Sequence, residues 1–277
     1  MLLLIDAGNT RIKWAFAAAN TASAGPRCGY TGNAMPAQPC WVAEGALPVE
    51  QVEQLNEAWR IAAIDRVLVS NVAGAALGQA LQRQIALAAR ADLPPPVEWF
   101  ASSPVRGGVR NGYRQPLQLG ADRFAAAIGA RALYGNAAML VVMCGTATTI
   151  DALDTDGLFE GGMILPGIDL MAGALARNTA QLPAIAVGAS AALSTPFATD
   201  TGAAISSGCL AAQCGAIERA FRQFSARQPG AAPPLSCILA GGAAARIAPH
   251  LSIPHLLAGN LVLAGLFHVA MESPIPC

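Results

Sequence analysis

LLLIDAGNTRIK at residues 2–13 and MLVVMCGTATTID at residues 139–151 share one plan. Each is an apolar run that reaches a small-residue turn with a glycine, Gly8 or Gly145, and then resumes, as TRIKWAF in the first case. The pattern predicts a strand, a tight turn and a second strand at both places. The two turns lie about half a chain apart. One glycine hairpin per half suggests an internal duplication, with two related lobes facing a shared cleft.

The rest of the chain alternates strands with helices, which favours α/β layers. VEQVEQLNEAWRIA (49–62) and AALGQALQRQIALAARA (75–91) have helical spacing, and further helices are expected at about Leu119–Leu133, after Gly167, at about Gly202–Phe224 and at about Leu261–Met271. RVLVSNV (66–72), PPPVEWFAS (94–102) and LSCILAG (235–241) read as strands. GNAMPAQP (32–39) and SSPVRGGVRNGYRQP (102–116) read as loops.

Composition narrows the function. The 277 residues are 54% hydrophobic, but alanine and glycine supply much of that and aromatics only 5%. Mean hydropathy is +0.44, yet no uninterrupted apolar run reaches bilayer length. No basic segment precedes MLLLI and Asp6 cuts that run short, so a signal peptide is not expected and a soluble, cytoplasmic protein is. Seventeen basic and seventeen acidic residues cancel, without runs of like charge, which argues against nucleic acid or a membrane surface as partner. The seven cysteines are scattered and odd in number, as in a reducing compartment, and the three histidines form no zinc pattern.

The two hairpins carry the chemistry. DAGNT, residues 6–10, exposes backbone N–H groups and lets a phosphate approach, while Asp6 at the strand end is the candidate ligand for Mg2+. Lys13 is the only lysine of the chain and lies two residues beyond Arg11 on the same side of the second strand. Its compact ammonium suits phosphate oxygens where a guanidinium fork does not. An ordinary hairpin is the bland alternative. Gly145 and Thr146 repeat the offer, with a threonine-rich strand as their alternative. Gly241 and Gly242 in LAGGAA allow close approach of a flat nucleoside or simply form a tight strand-to-helix turn. Asp122, in LGADRF, is either a base aimed into the cleft beside Arg123 or an acid placed to suit a helix dipole.

Together DAGNTRIK, NGYRQPLQLGADR, CGTATTID, EGGMILPG and LAGGAA, in this order, resemble type III pantothenate kinase, of the acetate and sugar kinase/Hsp70/actin superfamily. The resemblance runs from Leu2 to about Gly265. It implies two duplicated ribonuclease H-like lobes, the actin-like ATPase fold, around a nucleotide cleft, divided here as 1–116 and 117–277. It further implies phosphorylation of pantothenate by ATP with Mg2+, the first step toward coenzyme A, and a homodimer with substrate near the subunit interface. By resemblance the phosphate-binding residues are Asp6, Ala7, Gly8, Asn9, Thr10, Arg11, Ile12 and Lys13, with Gly145, Thr146, Gly241 and Gly242. The pantothenate pocket falls on Tyr113, Gly120, Ala121, Asp122, Arg123 and Thr201, with Asp122 as general base. The acid that members often carry two residues before the second hairpin glycine, implicated in binding potassium or ammonium, is Met143 here, which puts that cation in doubt. Some members were first described as accessory regulators of transcription. A non-catalytic nucleotide-binding regulator and a superfamily kinase acting on another small molecule are the rival readings.

Overall fold

Leu2–Ala7 forms β1, and all six of its side chains are buried, as in a strand covered on both faces. The computed structural model describes residues 1–18, 39–89, 94–187, 197–228 and 235–272. Residues 32–38 of the expected loop, and the last two of the helix read over 75–91, lie outside them. The chain divides into two compact units: Met1–Gly135 with Gly157–Phe159 and Asn260–Cys277, and Asn136–Asp156 with Glu160–Gly259.

In the first unit β1 pairs antiparallel with β2 (Arg11–Ala17), which pairs antiparallel with β3 (Ala43–Pro48). On its other side β1 runs parallel to β4 (Arg66–Asn71), and β4 parallel to β5 (Val97–Phe100), giving the order β3-β2-β1-β4-β5. Strand alternation sorts the faces. Leu3, Ile5 and Ala7 join Ile12, Trp14, Phe16, Val67 and Val69 in a core with α1 (Leu55–Trp59) and α2 (Ala75–Ala88). Asp6 therefore lies on the opposite face. The helix expected over 49–62 is shorter than its periodicity suggests: a 3-10 segment, Val49–Gln54, precedes α1, and Gln51 at φ −102°, ψ 18° breaks the helical path. The loop read over 102–116 contains a small hairpin, β6 (Val105–Arg106) and β7 (Val109–Asn111). Gly107 and Gly108 join them at φ +58° and +72°, a turn with both central residues left-handed. Two residue pairs are too few to show as alternation.

The second unit repeats the plan. β8 (Met139–Cys144) pairs antiparallel with β9 (Ala147–Leu153) and parallel with β11 (Ser236–Ala240), which runs parallel to β12 (His255–Leu257). With β10 (Leu158–Pro166) beside β9, the order is β12-β11-β8-β9-β10. Counted from its own first strand this is the order of the first sheet, with the same parallel and antiparallel partners around the central strand. The duplicated ribonuclease H-like topology is therefore present as expected. The division at residue 116 remains a proposal about the ancestral repeats. α4 (Ile168–Asn178), α5 (Thr201–Arg227) and α6 (Ala244–Ile247) pack on the second sheet.

The chain returns to the first unit in α7 (Leu261–Glu272), which packs on α3 (Ala121–Tyr134) and on β1 and β4. Two glycines permit the helix contact. A Cβ at Gly265 would lie 1.9 Å from the Ala125 carbonyl oxygen, and one at Gly129 would lie 2.1 Å from that of Leu261. Neither obstruction is a movable side-chain tip, so no rotamer change relieves it. Gly265→Ala is expected to destabilise by about 3 kcal/mol or more, because backbone must separate from backbone. Gly215→Ala, in α5 with nothing within 4 Å of its would-be Cβ, should instead stabilise by roughly 0.5–1 kcal/mol. Urea unfolding of both variants checks the pair.

Candidate active site

The end of β1 delivers one carboxylate and one ammonium to the same place. Register pairs Asp6 directly with Lys13 on β2, and cross-strand partners share a face. Lys13 Nζ lies 3.3 Å from Asp6 Oδ2, and Asp6 is only 6% exposed. Asn260 approaches the same oxygen through Nδ2 at 3.5 Å. Asp6 Oδ1 has no hydrogen-bond partner among the described residues. Ala7 and Ile12, on the other face, are core residues and offer only backbone to a ligand. Gly8 N–H donates to the Arg11 carbonyl at 3.1 Å and closes the turn, while Asn9, Thr10 and Arg11 are exposed.

Asp122 occupies the first turn of α3, whose cap residue is Gly120. Its Oδ1 accepts from the N–H of Arg123 at 2.8 Å, and a Cβ at Gly120 would stand 2.8 Å from that oxygen, so the glycine makes room for the folded-back carboxylate. Burial pushes the Asp122 carboxyl above its ordinary 3.8, the charge of Asp6 adds to this, and the Arg123 N–H and guanidinium oppose it.

Arg123, 6% exposed, is gripped by aromatics. It donates to the Tyr113 hydroxyl at 2.7 Å and stands over the rings of Tyr113 and Phe159 at 5.7 and 5.6 Å, within cation–π range. Asn111 shapes the loop before it, accepting from Tyr113 N–H at 3.0 Å and donating to the Pro116 carbonyl at 2.9 Å.

In the second unit Gly145 N–H donates to the Ala147 carbonyl at 3.0 Å, a closure one residue tighter than that of the first hairpin, and leaves Gly145 and Thr146 exposed. Gly167 packs under this turn: its N–H donates to Thr146 O at 2.8 Å, and a Cβ there would come within 2.2 Å of Gly145 O. Gln213 of α5, fully buried, holds the preceding Pro166 carbonyl at 2.8 Å. Gly241 and Gly242 separate in role. Gly241, at φ +98°, would place a Cβ 2.5 Å from Cys144 O, whereas Gly242 faces open space. Thr201 opens α5 after the cap Asp200, which accepts from Ala203 N–H at 2.9 Å. It also borders an apolar groove of about 710 Å³ between α4 and α5, lined by Leu170, Met171, Leu175, Ile205 and Cys209.

The first unit thus gathers Asp6, Lys13, Asp122, Arg123 and Tyr113, and the second holds Gly145, Thr146, Gly241, Gly242 and Thr201. Residues 2–223 match the family profile of type III pantothenate kinase. The chain is 52% identical over its whole length to a type III pantothenate kinase of Herminiimonas arsenicoxydans, also covered in full, and 51% identical to one of Janthinobacterium sp. strain Marseille over the same extent. The chain belongs to the type III pantothenate kinase family. Solved structures agree on the fold: a protein from Campylobacter jejuni described as a Baf family transcriptional activator aligns with TM-score 0.59 at 18% identity, covering 98% of each chain. A protein from Sinorhizobium meliloti described as a 2-dehydro-3-deoxygalactonokinase aligns with TM-score 0.59 at 15% identity, covering 98% of this chain and 99% of its own.

Sequence reading missed three residues of this family member's site. Phe159 follows Leu158 in a plain strand, and only the fold sets it against Arg123. Gly167 sits in the quoted EGGMILPG motif without a stated reason. Asn260 left a readable trace, a cap residue just before the apolar run of α7. No described helix is long and apolar enough to cross a membrane.

A kinase of this family takes a nucleotide co-substrate and usually a divalent metal, and the donor set at Asp6 fits such an ion. One buried carboxylate, with Oδ2 shared by two N–H donors and Oδ1 open, suits a metal that keeps most of its water and phosphate ligands. The described residues hold no cluster of three or more His, Cys, Asp or Glu, so a dedicated protein cage is not built there. Met143 offers a thioether and does not fit potassium or ammonium.

The raised Asp122 pKa has a sign that can be tested. A carboxyl raised on folding adds stability below its unfolded pKa and loses it as pH rises through the folded one. At pH 7 the ionised Asp122 therefore costs stability, and Asp122→Asn should raise the thermal midpoint. That advantage should shrink as pH falls toward 4 and the wild-type carboxyl takes up its proton. Melting curves across pH 4–8 check this, and a uniform destabilisation would instead make Asp122 a structural cap.

Proposed function

We propose that this chain transfers the γ-phosphoryl group of ATP to the primary hydroxyl of pantothenate, yielding 4'-phosphopantothenate and ADP, the first step of coenzyme A biosynthesis. The observation that carries the reading is the half-buried Asp122 carboxylate, held at a helix start within the field of the Asp6–Lys13 pair.

Asp122 takes the hydroxyl proton as the oxygen bonds to the γ-phosphorus and the bond to the bridging oxygen of ADP breaks. Its raised pKa makes it a better proton acceptor than an ordinary aspartate. Lys13 faces phosphate as a compact charge, and the N–H groups around Gly8 and Gly145 line the two turns offered to it. Mg2+ held by Asp6 would neutralise phosphate charge when bound. Positioning and electrostatics do most of the work in such transfers. Arg123, locked against Tyr113 and Phe159, is the cation for the polar end of pantothenate, with Thr201 its neutral contact. We further propose that the chain acts as a homodimer, for which the apolar groove beside Thr201 is the supporting surface. The free cysteines among the described residues suit a reducing cytoplasm.

Purified protein with MgATP and pantothenate, with and without potassium or ammonium, should yield phosphopantothenate by mass. Asp122→Asn should lower turnover roughly 100- to 10,000-fold while still binding nucleotide. Nucleotide binding without any wild-type product would favour the regulator. Lys13→Arg should lose more turnover or ATP affinity than Arg83→Lys on the exposed face of α2, and equal activity of the two would remove Lys13 from the phosphate site.

A further inference from the structure

Asn260 uses both ends of its amide. Oδ1 accepts from Leu263 N–H at 3.0 Å, and its backbone carbonyl accepts from Ala264 N–H at 3.1 Å, so Asn260 is the N-cap of α7. The cap dictates the amide orientation, because the opposite one would set Nδ2 against an N–H. Nδ2 is thereby turned to Asp6 Oδ2, 3.5 Å away, the oxygen that Lys13 approaches at 3.3 Å.

We propose that Asn260 is a positioning residue for Asp6, fastening its carboxylate from α7 while Lys13 holds it from β2. Among the preferred cap residues, asparagine alone combines an acceptor for the helix with a separate N–H donor. Aspartate would cap equally well but place a third carboxylate beside Asp6 and Asp122. Serine would cap with a hydroxyl too short to serve both neighbours. The choice of Asn260 is thus explained by the carboxylate it faces as well as by the helix it starts. With Oδ2 fastened from two sides, Oδ1 keeps one direction. The inference rests on the kinase reading in assigning Asp6 to MgATP.

The variants separate capping from positioning. Asn260→Ser keeps a cap acceptor, so its thermal midpoint should stay close to wild type, whereas Asn260→Ala should melt lower. Asn260→Ser should bind Mg-ADP roughly tenfold more weakly by calorimetry and raise the KM for MgATP by a similar factor, the usual effect of losing a group that orients a ligand. Asn260→Asp should also move the acidic limb of kcat/KM upward. The charged groups near Asp122 are then Asp6 and the new carboxylate against Arg123, with Lys13 beyond Asp6. Unchanged Mg-ADP affinity and KM in Asn260→Ser would reduce Asn260 to a cap and overturn the inference, as would a wild type that binds no Mg-ADP. A wild type that binds Mg-ADP but makes no phosphopantothenate would refute the kinase reading alone, and the calorimetric comparison would still decide the role of Asn260.

Discussion

Where α3 meets α7, main chain packs against main chain. Gly129 and Gly265 permit that approach, since Cβ atoms there would fall 2.1 and 1.9 Å from carbonyl oxygens. The contact joins segments more than a hundred residues apart in sequence and brings the end of the chain back to its beginning. It also sets the site. α3 begins with the capping Gly120, Asp122 and Arg123, and α7 begins with Asn260 against Asp6. Both helices cover the sheet face on which Asp6 lies, because the alternate residues Leu3, Ile5 and Ala7 are committed to the core with α1 and α2. Two glycines with no chemistry of their own thus bear on the placement of two carboxylates.

Those carboxylates are in tension. Asp6 and Asp122 repel, and burial alone already disfavours the charged form of Asp122. Lys13 and Asn260 both donate to Asp6, while Asp122 has the Arg123 N–H and the positive end of α3. The outcome is a poorly solvated carboxylate whose charged form is disfavoured. Such a group destabilises the folded chain and readily accepts a proton, a combination that clusters at functional sites.

The hairpins, the alternation of strands and helices, and the long helices were legible because each is a local pattern of adequate length. α5 appears as Thr201–Arg227 against an expected Gly202–Phe224, and α7 as Leu261–Glu272 against Leu261–Met271. The β6–β7 hairpin was not legible, since its turn depends on two left-handed glycines between strands of two and three residues. Arg123 was legible as a charge but not as a buried one, because its enclosure by Tyr113 and Phe159 joins residues from separate strands and loops. The same limit applies to the glycines. Gly241 and Gly242 look alike in LAGGAA, yet packing demands the first and leaves the second facing open space.

The duplication shows how the two hairpins came to differ. In both central strands one further pair separates this position from the turn: Asp6 lies opposite Lys13 in the first sheet, Met143 opposite Thr149 in the second. In both, the glycine N–H donates to the carbonyl of the residue that opens the next strand, Arg11 or Ala147. The backbone device is therefore repeated, and the charged pair is not. A turn that presents N–H groups needs no ionised side chain to receive a phosphate, whereas a divalent ion needs a carboxylate. Met143 gives up nothing in the first respect and everything in the second. The charge that the second copy lacks is concentrated in the first, beside Asp122, whose proton affinity Asp6 raises.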